Sequence, residues 1–287
     1  MSIFDSTKFQ KLFFLGPSGS YTDVAKNKFI KHFNLNCDIE SCESIYQVMK
    51  MLNVNENSVA VVPIENSVEG IVRETQDSIY RIADDGFGII AECTLNVEHS
   101  LVGFAHDKSE INTIISHPQA LAQCRNYIDS NFLGNVRKVS ELSTSMAVSK
   151  LSKEEKGVVA IASEYCANLL NVPIIEKGIN DEKNNTTRFV MIAKAKASKT
   201  ERNKVSIAFS TENQSGALNK VLSVFEKYNI NMSYIDSRPS KKELGEYIFY
   251  VDFEGYLEDS NVVLALTDIQ PLVKMFKPLS YGAIFVE

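Results

Sequence analysis

From residue 11 to residue 194, short apolar runs alternate with segments of helical period. "KLFFLG" predicts a strand and "SYTDVAKNKFIKHF" a helix; "CDIESC" and "SIYQVMKML" repeat the pair. "SVAVVPIEN" reads as a buried strand. "SVEGIVRETQDSIYRI" has Val68, Ile71, Val72 and Ile79 at helical spacing. Strand–helix pairs recur in "NTIISH" with "PQALAQCRNYIDSNF", "RKVSEL" with "STSMAVSKLS", and "GVVAIAS" with "EYCANLL". Such alternation predicts an α/β fold with largely parallel sheets. Two stretches break the rhythm. Residues 87–104 form one long extended run, and "VPIIEKGI" leads out of the last helix. Crossings near 87–104 and 172–187 would let the chain leave one lobe, build a second and return, with a cleft between them.

Residues 195–203, "AKASKTERN", lack apolar periodicity and read as a linker between a domain over 10–194 and a module over 204–287. In the module, "KVSIAFS", "GALNKVLSVFEKYN", "INMSYIDSRP", "GEYIFYVDFEG", "DSNVVLALTDIQP" and "KPLSYGAIFV" follow the order βαββαβ. That is a ferredoxin-like unit.

Composition narrows the function. The net charge of −6 argues against general nucleic-acid binding. An anionic substrate would need local capture. Five cysteines with no CxxC spacing suit free thiols in a reducing cytosol, and the four histidines show no ligand spacing, so no metal site is expected. "LFFL" is too short for a signal-peptide core or a membrane span, which predicts a cytoplasmic protein. "GPSGS" is no dinucleotide fingerprint, and GxxxxGK[ST] and GxSxG are absent, so NAD, ATP and a hydrolase triad lack support.

Four strand-to-helix turns carry small polar residues: 16–22, 63–70, 116–121 and 140–145. Free N–H groups at helix N-termini bind anions without a basic side chain, although such residues are also plain caps. Glu65 suits acid–base work or an ordinary structural pair. His117 suits a base or a hydrogen bond at a turn, and Cys124 a small buried hydrophobe. At "NNTTRF", Thr187, Arg188 and Phe189 put a hydroxyl, a guanidinium and a ring together. By pattern alone this is also an ordinary loop entering a strand.

Taken together, "GPSGSYT", "VVPIENSVEG", "SHPQALAQC", "DEKNNTTRF", "GALNKVL" and "IDSRP" resemble the prephenate dehydratase family, in its monofunctional form with a C-terminal ACT domain. The resemblance covers roughly 10–285 and implies a two-lobed, periplasmic-binding-protein-like catalytic domain followed by the ACT domain. It implies conversion of prephenate to phenylpyruvate, carbon dioxide and water, with no cofactor. Thr187 would serve the departing hydroxyl, with Asn66 and Gln123 in support. Arg188 would hold a carboxylate and Phe189 shape the site. Ser116, Glu65, Ser67, Ser20, Tyr21 and Thr22 are further candidate substrate contacts. Phenylalanine is the implied effector, at Gly216, Ala217 and Leu218 and at Asp236, Ser237, Arg238 and Pro239. Two departures bear on it: the family usually has Glu in place of Asp236 and a basic residue in place of Tyr234. ACT modules usually pair, which implies a homodimer or homotetramer. Arogenate dehydratase and a non-enzymatic ligand sensor are the alternatives.

Overall fold

The computed structural model describes residues 8–132, 135–240 and 245–287. The chain runs β1 (Lys11–Leu15), α1 (Tyr21–Phe33), β2 (Asp38–Cys42), α2 (Ile45–Val54), β3 (Ser58–Asn66), β4 (Gly70–Ile71), α3 (Arg73–Ile82) and β5 (Gly88–Asn96). It continues with β6 (Ser100–Gly103), β7 (Thr113–Ser116), α4 (Pro118–Gln123), α5 (Arg125–Phe132), β8 (Arg137–Ser140), α6 (Thr144–Ser149), β9 (Val158–Ala162), α7 (Glu164–Leu169) and β10 (Ile174–Glu176). Then come β11 (Thr186–Ala193), β12 (Asn203–Ser210), α8 (Ala217–Lys227), β13 (Met232–Pro239), β14 (Tyr247–Glu254), α9 (Ser260–Ile269), β15 (Met275–Pro278) and β16 (Ser280–Phe285).

Two sheets divide the first 193 residues. One carries the order β5-β11-β3-β1-β2, the other β10-β6-β9-β7-β8. The strands have the composition expected of sheets covered on both faces: Phe13, Val61, Val62, Val190 and Ile192 are fully buried. Beyond Asn96 the chain leaves the first sheet for β6 of the second. It returns between β10 and β11, through 177–185. The sheets are less parallel than the alternation predicts. β11 comes back antiparallel between β5 and β3, and β6 is antiparallel to both its neighbours. A strand entering from a crossing has no helix to reverse it, so it runs against its neighbours.

The C-terminal module shows the βαββαβ order, with its last strand split into β15 and β16. β15 closes on β12, while β16 pairs with the start of β12 on one side and with β5 on the other. One eleven-stranded sheet therefore runs through both units. Val205, Ile207, Phe209, Phe225, Val251 and Phe253 form the module's own core.

The turn at 63–70 does not open a helix. β3 continues to Asn66 and folds back as a hairpin onto β4, and α3 starts only at Arg73, without a side-chain cap. The Asn66 side chain explains this. Its Oδ1 accepts the backbone N–H groups of Val68 and Glu69, both at 2.9 Å, and closes an Asx-type turn. Gly70, at φ +81, completes the reversal. The helix expected over 118–132 is broken at Cys124 into α4 and α5.

Candidate active site

A cavity of about 420 Å³ lies between the two lobes. The first lobe contributes Ser20, Tyr21, Thr22, Asn66, Thr187 and Phe189; the second contributes His99, His117, Gln123, Ser143 and Thr144. Asn185 comes from the returning crossing. Three helices start at its wall. Ser20 caps α1, His117 caps α4 and Ser143 caps α6. The α4 cap is His117 Nδ1 accepting the Gln119 N–H. Among the described residues no Lys or Arg lines the cavity, and its one carboxylate is Glu69.

The floor is a chain of side-chain hydrogen bonds whose directions follow from the backbone. Asn66 Oδ1 is taken by two backbone N–H groups, so its Nδ2 is the free donor. It bonds Asn185 Oδ1 at 2.7 Å and Thr187 Oγ1 at 2.8 Å. Asn185 must then present its Nδ2, which reaches Gln123 Oε1 at 3.3 Å. Gln123 Oε1 also faces His99 Nε2 at 3.0 Å, which puts the imidazole proton on Nε2. Among the described residues Gln123 Nε2 and His99 Nδ1 have no hydrogen-bond partner. Thr187 Oγ1 is an acceptor in this chain, so its own proton remains free to donate. The residue is 8 % exposed, and it lines the cavity.

The chain of bonds joins both lobes, so Asn66→Ala should act beyond its own contact. It strips the hydrogen bond from Thr187 and frees the Val68 and Glu69 amides. Steady-state assays should show kcat reduced by about 10²-fold, the scale of removing one preorganised donor.

Burial lowers the His99 pKa, with the Gln123 hydrogen bond opposing weakly. A histidine held below its unfolded value of about 6.5 binds fewer protons folded than unfolded. Its contribution is present above pH ~6.5 and is lost as pH falls through the folded pKa. Denaturant midpoints should therefore drop more steeply on acidification in the wild type than in His99→Gln.

β-strand alternation separates the residues expected together. Thr187 and Phe189 face the cleft, and Phe189 also packs into the core at 2 % exposure. Thr186 and Arg188 face the other way. Thr186 Oγ1 bonds Asn96 instead. Arg188 does not reach the cleft to hold a carboxylate. Its guanidinium sits 2.6 Å from Asp252, 3.4 Å from Glu65 and 3.5 Å from Glu92. Burial works against its charge, yet these carboxylates outweigh burial and raise its pKa. Glu65 points to that same far face, so it is no cleft residue either. Ser116 is fully buried, its hydroxyl donating to Ile161 O at 2.6 Å in the second sheet. The Ser67 hydroxyl donates to Asn184 O and accepts Thr186 N–H, tying down the crossing outside the cavity. Burial pushes the Cys124 thiol up to about 12, as suits an inert hydrophobe.

In the module, Gly216 takes φ +77 at the N-cap of α8, just before Ala217 and Leu218. β13 is an edge strand. Its side chains split: Ser237 and Pro239 lie on the open face, while Asp236 and Arg238 are partly buried beside Tyr234. Tyr234 OH meets Gln76 Nε2 at 3.2 Å, and Arg238 meets Asp77 at 3.2 Å. The Asp236 and Arg238 side chains thus lie on the face turned to α3.

Asn185 and His99 were not singled out from sequence. Asn185 stands inside the "NNTTRF" run. His99 meets Gln123 only through the lobe closure, which has no local signature.

Two α/β lobes meeting on a polar cleft, continuous with a ferredoxin-like module, define a ligand-cleft protein of the periplasmic-binding-protein type with an appended regulatory unit. Residues 12–197 match the family model for prephenate dehydratase, and residues 205–269 match that for the ACT domain. The prephenate dehydratase of Methanocaldococcus jannaschii is 42% identical over 251 residues, covering 86% of this chain and 89% of that protein. The Arabidopsis thaliana chloroplastic arogenate dehydratase/prephenate dehydratase 1 is 33% identical, over 94% of this chain and 71% of that protein. The Arthrobacter aurescens prephenate dehydratase, solved in complex with L-Phe, superposes with a TM-score of 0.82 at 28% identity, covering 96% of this chain and 90% of that one. The chain belongs to the prephenate dehydratase family, in the form that carries a C-terminal ACT domain.

Proposed function

We propose that the cleft between the lobes is the catalytic site, and that Thr187 delivers the proton the reaction consumes. One observation carries this reading: Asn66 occupies the acceptor side of the Thr187 hydroxyl and leaves its proton directed to the cavity. In the reaction, the bond from ring to carboxylate breaks and carbon dioxide leaves. The electron pair moves through the ring as it becomes aromatic. The bond to the ring hydroxyl breaks, and one added proton makes the departing group water. Hydroxide is a poor leaving group, so a donor at that oxygen is what the site must supply. Thr187 is a weak acid, and most stabilisation falls to its fixed surroundings, Asn66 and the free Gln123 Nε2.

Prephenate carries two carboxylates. With no Lys or Arg in the lining, the N-terminus of α1 with Ser20 and Thr22, and the hydroxyls at the start of α6, are the groups suited to them. Glu69 keeps arogenate in view, because a carboxylate at the cleft would pair with that substrate's ammonium. Initial rates of phenylpyruvate formation from prephenate and of phenylalanine formation from arogenate, measured side by side, test the assignment. Prephenate turnover at the higher kcat/KM supports it, and arogenate preferred tenfold or more overturns it.

Phenylalanine is the effector we assign to the ACT module, on the strength of the L-Phe complex of the Arthrobacter aurescens relative. The open edge of β13 with Ile235 exposed, and exposed Val263 and Leu264 on α9, suit pairing of modules in a homodimer or homotetramer. We take 10–194 as the catalytic domain, 195–203 as linker and 204–287 as the regulatory module, in a cytoplasmic enzyme. Among the described residues no helix is long and apolar enough to cross a membrane.

A further inference from the structure

The guanidinium of Arg188 sits where the two units meet, directly behind the catalytic hydroxyl. Arg188 follows Thr187 on β11. It pairs across the strand with Glu65, which precedes Asn66 on β3. The ladder between these strands is irregular at this point: Arg188 stands opposite Glu65, but Phe189 opposite Pro63. Proline has no N–H to give a neighbouring strand. On the β3 side the segment holding Thr187 and Asn66 is therefore joined to the rest of the sheet across a bulge, a place where strands bend and re-aim side chains, while the pairing with β5 stays in register from Thr186 to Met191. Side-chain ion pairs substitute for the interrupted ladder. Glu65 and Glu92 come from the catalytic sheet. The shortest contact, 2.6 Å, comes from Asp252 on β14 of the module. Asp252 is itself 5 % exposed and lies between Tyr234 on β13 and Ser206 on β12 in the module's sheet.

We infer that Asp252 and Arg188 are positioning residues through which the module sets the Thr187 and Asn66 side chains. A shift of β14 relative to the catalytic sheet moves or releases the guanidinium. The end of β11 follows on its β3 side, where the ladder is interrupted, and turns about its in-register pairing with β5. Neither residue touches the cavity, so their effect on turnover passes through Thr187. The inference rests on the effector reading given above, that phenylalanine binds the module.

The test measures phenylalanine binding and inhibition separately, on the full chain. Asp252→Asn keeps shape and removes charge; Arg188→Lys keeps charge and loses the planar fork. Calorimetric titration with phenylalanine reports on the effector reading alone. The ratio of kcat with and without saturating phenylalanine reports on the joint. Lys277→Met serves as control: it cuts another contact between the units, Lys277 to Asp84 at 2.7 Å, outside the Arg188 cluster. The expected result is that Asp252→Asn and Arg188→Lys bind phenylalanine within threefold of wild-type affinity while inhibition falls below twofold. Lys277→Met should retain wild-type binding and inhibition. Inhibition of Asp252→Asn to the wild-type degree overturns the inference. So does loss of inhibition in Lys277→Met to the same extent, because any weakened domain contact would then suffice.

Discussion

Replacing Thr187 by alanine is expected to lower kcat by about 10²–10⁴-fold, the range for loss of a positioned proton donor. The fold should persist. The side chain is small, it sits at a cavity wall, and its one protein partner is Asn66, which keeps its bond to Asn185. KM should change far less than kcat, because the hydroxyl serves a group that becomes charged only as it leaves. Thr186→Ala is the matched comparison. Its hydroxyl lies on the opposite strand face against Asn96, so turnover should stay within about threefold of wild type. Equal losses at the two positions, or near wild-type rates for Thr187→Ala, would remove Thr187 from its role. A non-enzymatic sensor would show no turnover for Thr187 to affect.

Arg188→Met should, unlike Thr187→Ala, cost the fold much of its stability. The side chain is 12 % exposed, and its loss leaves Asp252 and Glu92, at 8 % and 4 %, without the guanidinium between them. Lys204 still pairs with Glu92, so Asp252 bears most of the consequence. Removing one partner of a buried ion pair costs about 3–5 kcal/mol. Urea unfolding monitored by circular dichroism should show the midpoint falling by the equivalent amount. Had Arg188 gripped a substrate carboxylate, its loss would raise KM and leave the midpoint alone. That pattern would contradict the arrangement described here.

The opposed fates of neighbouring residues show what could be read in the sequence and what could not. Strand alternation alone states that Thr187 and Arg188 cannot face the same cleft. The resemblance to a family motif grouped them, and the strand separates them. Elements with strong period, such as β1 with α1 and β7 with α4, were legible because burial demands are local. The hairpin at Asn66 was not. Val68, Ile71 and Val72 sit at helical spacing, yet the Asn66 side chain captures the two amides that would have begun a helix turn. Ser20, Tyr21, Thr22, Asn66, Gln123 and Thr187 all reach the cavity; Ser116, Ser67, Glu65 and Arg188 do not. The ones that failed are polar residues whose structural partners lie on a neighbouring strand or in the other unit, 45 or more residues away in sequence. Asn185 and His99 were missed for the same reason, since their partners lie 119 and 24 residues distant in sequence.

The shared sheet has a consequence for biosynthesis of the protein. β5 is flanked by β11 and β16, which leave the ribosome well after it. At about 5–20 residues per second, the stretch between the end of β5 and the end of β16 takes roughly 10–40 s to make. For that interval the catalytic sheet has an open edge, and its completion awaits β16. The second lobe faces no such delay, because β6 to β10 are contiguous in sequence and can close as a unit. Nascent chains should therefore hold a finished second lobe beside an incomplete first one, and the cleft, whose walls run from Ser20 to Phe189, can form only once β11 has been made.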